Sequence, residues 1–299
     1  GFNKAMQHQR KLSQSSNQFK LDEVKQLHIS VDTEFTGYET TQGLACIKSL
    51  IGHDNRPVNH LTEAEQGIVI LDRSPFYPEG GGQVGDQGVI RSSDAEFLVE
   101  DTQKQGAAIL LFGRVTRGKF NTEQQVECEV DMQRQAIRCN HSATHLLHQA
   151  LRHILGSHIM QKGSLVAADH LRFDFSHPES IESNELEAIE IMVNTAIRNN
   201  VPLTTEVNSL DEARNAGAMA LFGEKYDEKV RVVTMGNFSK EVCGGTHVSA
   251  TGDIGCFKIL SESACSQGVR RIDAVTGRRA MDYMREEINL LTTACETLK

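Results

Sequence analysis

Between Leu27 and Val130 apolar residues come in short runs broken by turn-forming residues: GLACIKSLI, QGIVILD, QGVIRS, AEFLVEDT, AAILLFGRV and QQVECEV. Runs of this length predict strands, and their succession predicts a small β-barrel. From Asp131 the period changes. Ala143, Leu147, Ala150, Leu151 and Ile154 form one apolar stripe at helical spacing, which predicts a helix over 131–155. A second helix is predicted over 183–199, with LRFDFS, PLTTEV and VRVVTM as strands around it. Helices and strands alternating in this way predict a two-layer sandwich. The expected fold is therefore α+β: a small β-barrel over 25–130, a two-layer α/β-sandwich core over 131–280, and helical ends at 1–24 and 281–299.

The ends read as cut. Gly1-Phe2 leads straight into the basic helical stretch NKAMQHQRKLSQ, and RRAMDYMREEINLLTTACETLK stops with helical spacing and no cap. Both features suit a piece of a longer protein, with 1–24 as the remnant of a preceding domain. Seven cysteines, an odd number without a CxxC pair, suit a reducing cytosol better than a disulfide framework. With neither a signal peptide nor a membrane-spanning apolar run, the expected location is the cytoplasm. The net charge of −9 argues against a protein that coats nucleic acid, DNA included, because sequence-independent affinity comes from lysine and arginine neutralising phosphates. Any RNA contact must be local, with Arg152, Lys162, Arg270, Arg271, Arg278 and Arg279 as candidates.

Candidate chemistry sits on the helix. His141 and His145 are four apart, so both imidazoles project from one face. That face, shared with His148 and Arg152, lies opposite the apolar stripe and is expected to look into solvent or a cleft. Cys243 and His247 are joined by Gly244, Gly245 and Thr246, a link in which the glycines let the backbone turn tightly. Each pair alone is weak, but two imidazoles plus a Cys-His pair supply the borderline-soft ligands that zinc prefers. Closed by all four, such a site is structural; with an open position it is catalytic. The HExxH glutamate of zinc peptidases is missing, its place taken by Ser142. GGGQVG at 80–85 formally matches a dinucleotide fingerprint, yet Asp86-Gln87-Gly88-Val89-Ile90 continues as turn then strand, not as the required helix. These glycines read either as a tight bend near a barrel rim or as part of a binding cleft.

The segments HSATHLLHQAL, QKGSL, RFDFSH, AMALFGEKYDEKVRVV, CGGTH and GVRRIDAVTG resemble the editing region of bacterial alanyl-tRNA synthetase, and SPFYPEGGGQVGDQG resembles the glycine-rich module preceding that core in the synthetase and in freestanding AlaX deacylases. The resemblance implies a core of the threonyl/alanyl-tRNA synthetase second-additional-domain type, with zinc on His141, His145, Cys243 and His247. It also implies hydrolysis of serine or glycine from the acceptor end of mischarged alanine tRNA, since an alanine pocket cannot strongly reject a smaller residue or one bearing an added hydroxyl. In this reading Thr144 reads the serine hydroxyl and Gln161 orients water or the terminal ribose. Arg270 contacts phosphate or the terminal nucleotide, and Gly81, Gly82 and Gln83 border the cleft. ATP would serve only the longer parent enzyme, which ligates alanine to tRNA, and the fragment is expected to be a monomer. A freestanding deacylase and a zinc-stabilised tRNA-binding module without turnover remain as alternatives.

Overall fold

The computed structural model describes residues 29–220 and 228–298; the expected helix at 1–24 and part of the AMALFGEKYDEKVRVV segment lie outside them. The chain divides into two compact units, one comprising the chain up to Pro78 with Gly85–Asp131, the other Glu79–Val84 with Met132 onward.

Among its described residues the first unit is built on six barrel strands: β1 (Gln42–Gly52), β2 (Gln66–Leu71), β3 (Gly88–Arg91), β4 (Glu96–Gln105), β5 (Ala108–Arg117) and β6 (Gln125–Val130). They pair antiparallel in the order β6-β3-β4-β5-β2-β1, and β6 returns to β1 to close the barrel. Closure removes the open edges that would otherwise invite pairing with another chain. Alternate side chains point inward, so Ile47, Val69, Leu71, Ile90, Phe97, Val99, Ile109, Leu111, Val126 and Cys128 share one core. Gly113 is where β5 presses on β4, since a Cβ there would lie 1.8 Å from the Leu98 carbonyl oxygen.

Among its described residues the second unit has four α-helices: α1 (Gln133–Leu155), α2 (Ser183–Arg198), α3 (Leu210–Asn215) and α4 (Gly277–Thr297). Its strands are β7 (Gln161–Val166), β8 (Leu171–Ser176), β9 (Leu203–Ser209), β10 (Lys229–Met235), β11 (Ser239–Val242), β12 (Phe257–Ser266) and β13 (Val269–Thr276). They form two antiparallel sheets, β7-β8-β13-β12 and β9-β10-β11. The strand predicted at LRFDFS is realised with Leu171, Phe173 and Phe175 facing inward and Ile272 and Ala274 beside them. Against them packs the stripe Ala143, Leu147, Ala150 and Leu151 of α1, together with Ile189, Val193 and Ile197 of α2. The fold is thus the expected α+β: a barrel, then helices layered on sheets. In the glycine-rich run no helix follows 80–85; the chain turns and enters β3 at Gly88. Residues 79–84 group with the second unit, where Gln83 bridges in parallel to Val166 of β7.

Candidate metal centre

Helix α1 carries two of the four expected ligands, but the face they share is not solvated. Residues 139 to 148 are buried without a break, so the histidine face is as covered as the apolar stripe. Of the two expectations for the polar face, solvent or a cleft, solvent is excluded by this burial; helical periodicity detects only one side packed on a core. Here the chain between β11 and Ser249 lies over the other side: the Val248 N–H donates to Ser142 Oγ (3.2 Å), and Ser142 Oγ meets His247 Nδ1 at 3.1 Å.

That covering segment is shaped by its glycines and by one arginine. A Cβ on Gly245 would lie 2.0 Å from His141 Cε1, so glycine is required for the loop to touch the ring. The Arg231 guanidinium donates to the carbonyls of Cys243 (3.3 Å) and Gly245 (2.9 Å), tying the loop to β10.

As a result, one ligand atom from each of His141, His145, Cys243 and His247 falls within 4.8 Å of all the others. Cys243 Sγ is 3.4 Å from His141 Nε2 and 3.3 Å from His247 Nε2. Tetrahedral zinc bonded to sulfur and nitrogen at its usual lengths spaces such ligand atoms by about 3.3–3.6 Å. Each imidazole is held through its other nitrogen: His141 Nδ1 by Gln83 Oε1 (2.8 Å), His145 Nδ1 by Glu241 Oε2 (2.6 Å) and His247 Nδ1 by Ser142 Oγ (3.1 Å). This outer ring of partners fixes which nitrogen is free, as metal-ligating histidines require. The buried Nε2 of His145 has no hydrogen-bond partner, an omission costly in a folded interior and removed by a metal bond. The donor set therefore fits a thiophilic divalent ion such as zinc.

Electrostatics favour the ligating form of the sulfur. Burial would raise the Cys243 thiol, but the surrounding imidazoles of His141, His247 and His145 bring it well below its ordinary value, towards thiolate. Burial also works against charge on His247, and together with His141 lowers it to about 3. For Glu241 burial pushes upward, yet His145 and His148 prevail and hold the carboxyl at about 2. His145 is opposed by burial but raised to about 10 by Glu241 and Cys243, so metal binding must displace its proton.

The other expected site residues are distributed as follows. Thr144 is buried and its hydroxyl donates to the Asn140 carbonyl (2.8 Å), the helix-tied state its position allows. Gln161 opens β7, half-buried, opposite Phe175. Arg270 is engaged with Glu262 through two bonds, Nη2 to Oε2 at 2.7 Å, and Arg271 likewise with Asp174. Gly81 and Gly82 adopt positive φ of 60° and 86°. Gln83 is fully buried, its side chain meeting His141 and Thr246. Glu241, Ser142 and Arg231 were not singled out as site residues by the sequence, because their partners lie far along the chain. His148 does share the ligand face and its Nδ1 meets Glu241 Oε1 at 3.1 Å, but it is not among the four residues whose ligand atoms converge.

Residues 1–134 match the family of class II tRNA synthetases (A), and residues 230–273 match the threonyl and alanyl tRNA synthetase second additional domain, the stretch that holds Cys243 and His247. Together these matches define a relative of the class II synthetases that carries the second additional domain. Its particular likeness is to alanine--tRNA ligase. The proteins of that name from Coxiella burnetii and Nitrosococcus oceani are each 50% identical, over 299 and 289 residues, covering 100% and 96% of this chain but 34% and 33% of their own lengths. That from Pseudomonas syringae pv. tomato is 49% identical over 301 residues, with 34% of its length covered. The chain thus spans about a third of the curated relatives it matches. Among the described residues no helix is long and apolar enough to cross a membrane.

Proposed function

We propose that this chain is an editing deacylase that hydrolyses the ester joining serine or glycine to the 3′-terminal adenosine of alanine tRNA, with zinc held by His141, His145, Cys243 and His247. The observation that carries this reading is the convergence of the four ligand atoms within 4.8 Å, each imidazole anchored through Nδ1. Zinc, when bound, would supply a Lewis acid that polarises or positions the ester and lowers the pKa of water towards about 7; since a site closed by all four ligands is structural, this role requires the ion to take a fifth ligand or to release one of the four.

The chain's own groups supply selection and orientation. The Thr144 hydroxyl hydrogen is committed to the Asn140 carbonyl, so towards a substrate this oxygen acts as acceptor and favours a serine hydroxyl that donates. A site built to bond an OH discriminates strongly. Gln161 is proposed to orient water or the terminal ribose, since an amide is a poor base. Arg270 is proposed to meet the terminal nucleotide by exchanging the Glu262 carboxylate for phosphate, both of which suit its planar fork. The barrel over 25–130 and the core over 131–280 would form the editing part of a longer cytoplasmic enzyme that ligates alanine with ATP; this chain would be hydrolytic only, and monomeric.

The test is serine release from seryl-tRNA specific for alanine, with the full chain beside the Cys243→Ala, His247→Ala double variant and zinc assayed on both. Hydrolysis that disappears with the ligands is the expected result. A second reading, a metal-stabilised tRNA-binding module, draws on the same closed four-ligand set; bound zinc without hydrolysis would favour it and sink the deacylase.

A further inference from the structure

The glycine-rich turn is far from the histidine helix in sequence, yet its one long polar side chain is fully buried among the ligands. We propose that Gln83 is a positioning residue of the metal centre, fixing the tautomer of His141 and locking the Cys243–His247 loop to it; this rests on the metal reading above.

The direction of the Gln83 amide is settled by its neighbours. Oε1 accepts from the Thr246 backbone N–H at 2.9 Å, a group that can only donate, while Nε2 donates to Thr246 Oγ1 at 2.9 Å. With the oxygen so placed, the contact to His141 Nδ1 at 2.8 Å must be an N–H donating to Oε1. The tautomer follows: Nδ1 carries the proton, and the lone pair is on Nε2, the nitrogen 3.4 Å from Cys243 Sγ. One side chain thus aims a helix ligand and holds the residue preceding His247.

The glycines explain how it gets there. The Val166 N–H donates to the Gly82 carbonyl (2.7 Å) and the Val84 N–H to the Val166 carbonyl (3.1 Å), clipping the turn onto β7. A Cβ on Gly82 would lie 2.8 Å from the Ser164 carbonyl oxygen, and its φ of +86° suits glycine. GGGQ therefore reads as a backbone device that delivers an amide to the centre.

The experiment uses the full chain, with zinc affinity read by competition against a chromophoric chelator and ligand geometry by the visible spectrum of the Co2+ form. Gln83→Ala should weaken zinc by about 10–100-fold, the usual cost of losing such a partner, and alter the Co2+ bands. Gln83→Glu keeps an acceptor for both N–H groups and should recover most of the loss, whereas Gln83→Met, of similar size but with no such acceptor, should not; a purely space-filling role would predict recovery in both. Wild-type affinity and spectrum in Gln83→Ala would overturn the inference while leaving the metal centre standing. A wild-type chain that binds neither ion would remove the metal reading itself. Should Gln83→Ala fail to fold, Gln83→Met decides: it fills similar space but removes the acceptor shared by His141 Nδ1 and the Thr246 N–H, and unchanged zinc affinity there would equally overturn the proposal.

Discussion

At the scale of single residues, the ligands were legible because chemistry and spacing coincide: HxxxH on a helix and CGGTH after a strand. Their partners were not. Glu241 is 96 positions from His145 and Ser142 is 105 from His247, distances over which no local pattern survives. Glu241 makes a pH prediction. Its carboxyl, ordinarily near 4.5, is held at about 2, so the unfolded chain takes up the proton first as pH falls. The stability it contributes is present above 4.5 and is lost between there and about 2. Unfolding of the metal-free chain followed against pH should decline more steeply over that window in wild type than in Glu241→Gln; parallel profiles would contradict the assignment. Gly245 makes a steric one. With a Cβ 2.0 Å from the His141 ring, Gly245→Ala must push that imidazole aside, and chelator competition should show zinc affinity falling by at least about tenfold.

At the scale of elements, α1 marks where periodicity reached its limit. Its apolar stripe correctly predicted the side packed on Phe173 and Ile272. For the opposite side the stripe left solvent and a cleft equally open, since cover by a loop from beyond residue 242 leaves no signature in the helix. Deleting a side chain from the legible side has a definite cost: Leu147 is wholly buried, and Leu147→Ala should lose about 2–5 kcal/mol in denaturant unfolding. Local caps are a smaller effect. Ser209 accepts from the Glu212 N–H at the start of α3 while Glu212 reaches back to the Ser209 N–H; Ser209→Ala should cost about 1 kcal/mol. A loss as large as that at Leu147 would mean this short helix supports more than its own first turn.

At the scale of the whole molecule, the barrel strands were legible because each is a short apolar run bounded by turn signals. The allocation of residues 79–84 to the other unit was not, being decided by pairing with Val166, some eighty positions away in the chain. That allocation has a consequence for metal removal. Every ligand and every partner holding one, Gln83 included, belongs to the second unit. Ligand binding stabilises only the states that contain the site, and proteins open in local cooperative segments as well as globally. Chelation should therefore speed amide exchange over 79–84, α1 and 239–248 while leaving β1 to β6 as protected as before. Exchange followed by mass spectrometry on the zinc-loaded and chelated chain measures this. Equal loss of protection in the barrel would show that the metal holds both units together, and the centre would then have to be counted as a support for the entire chain.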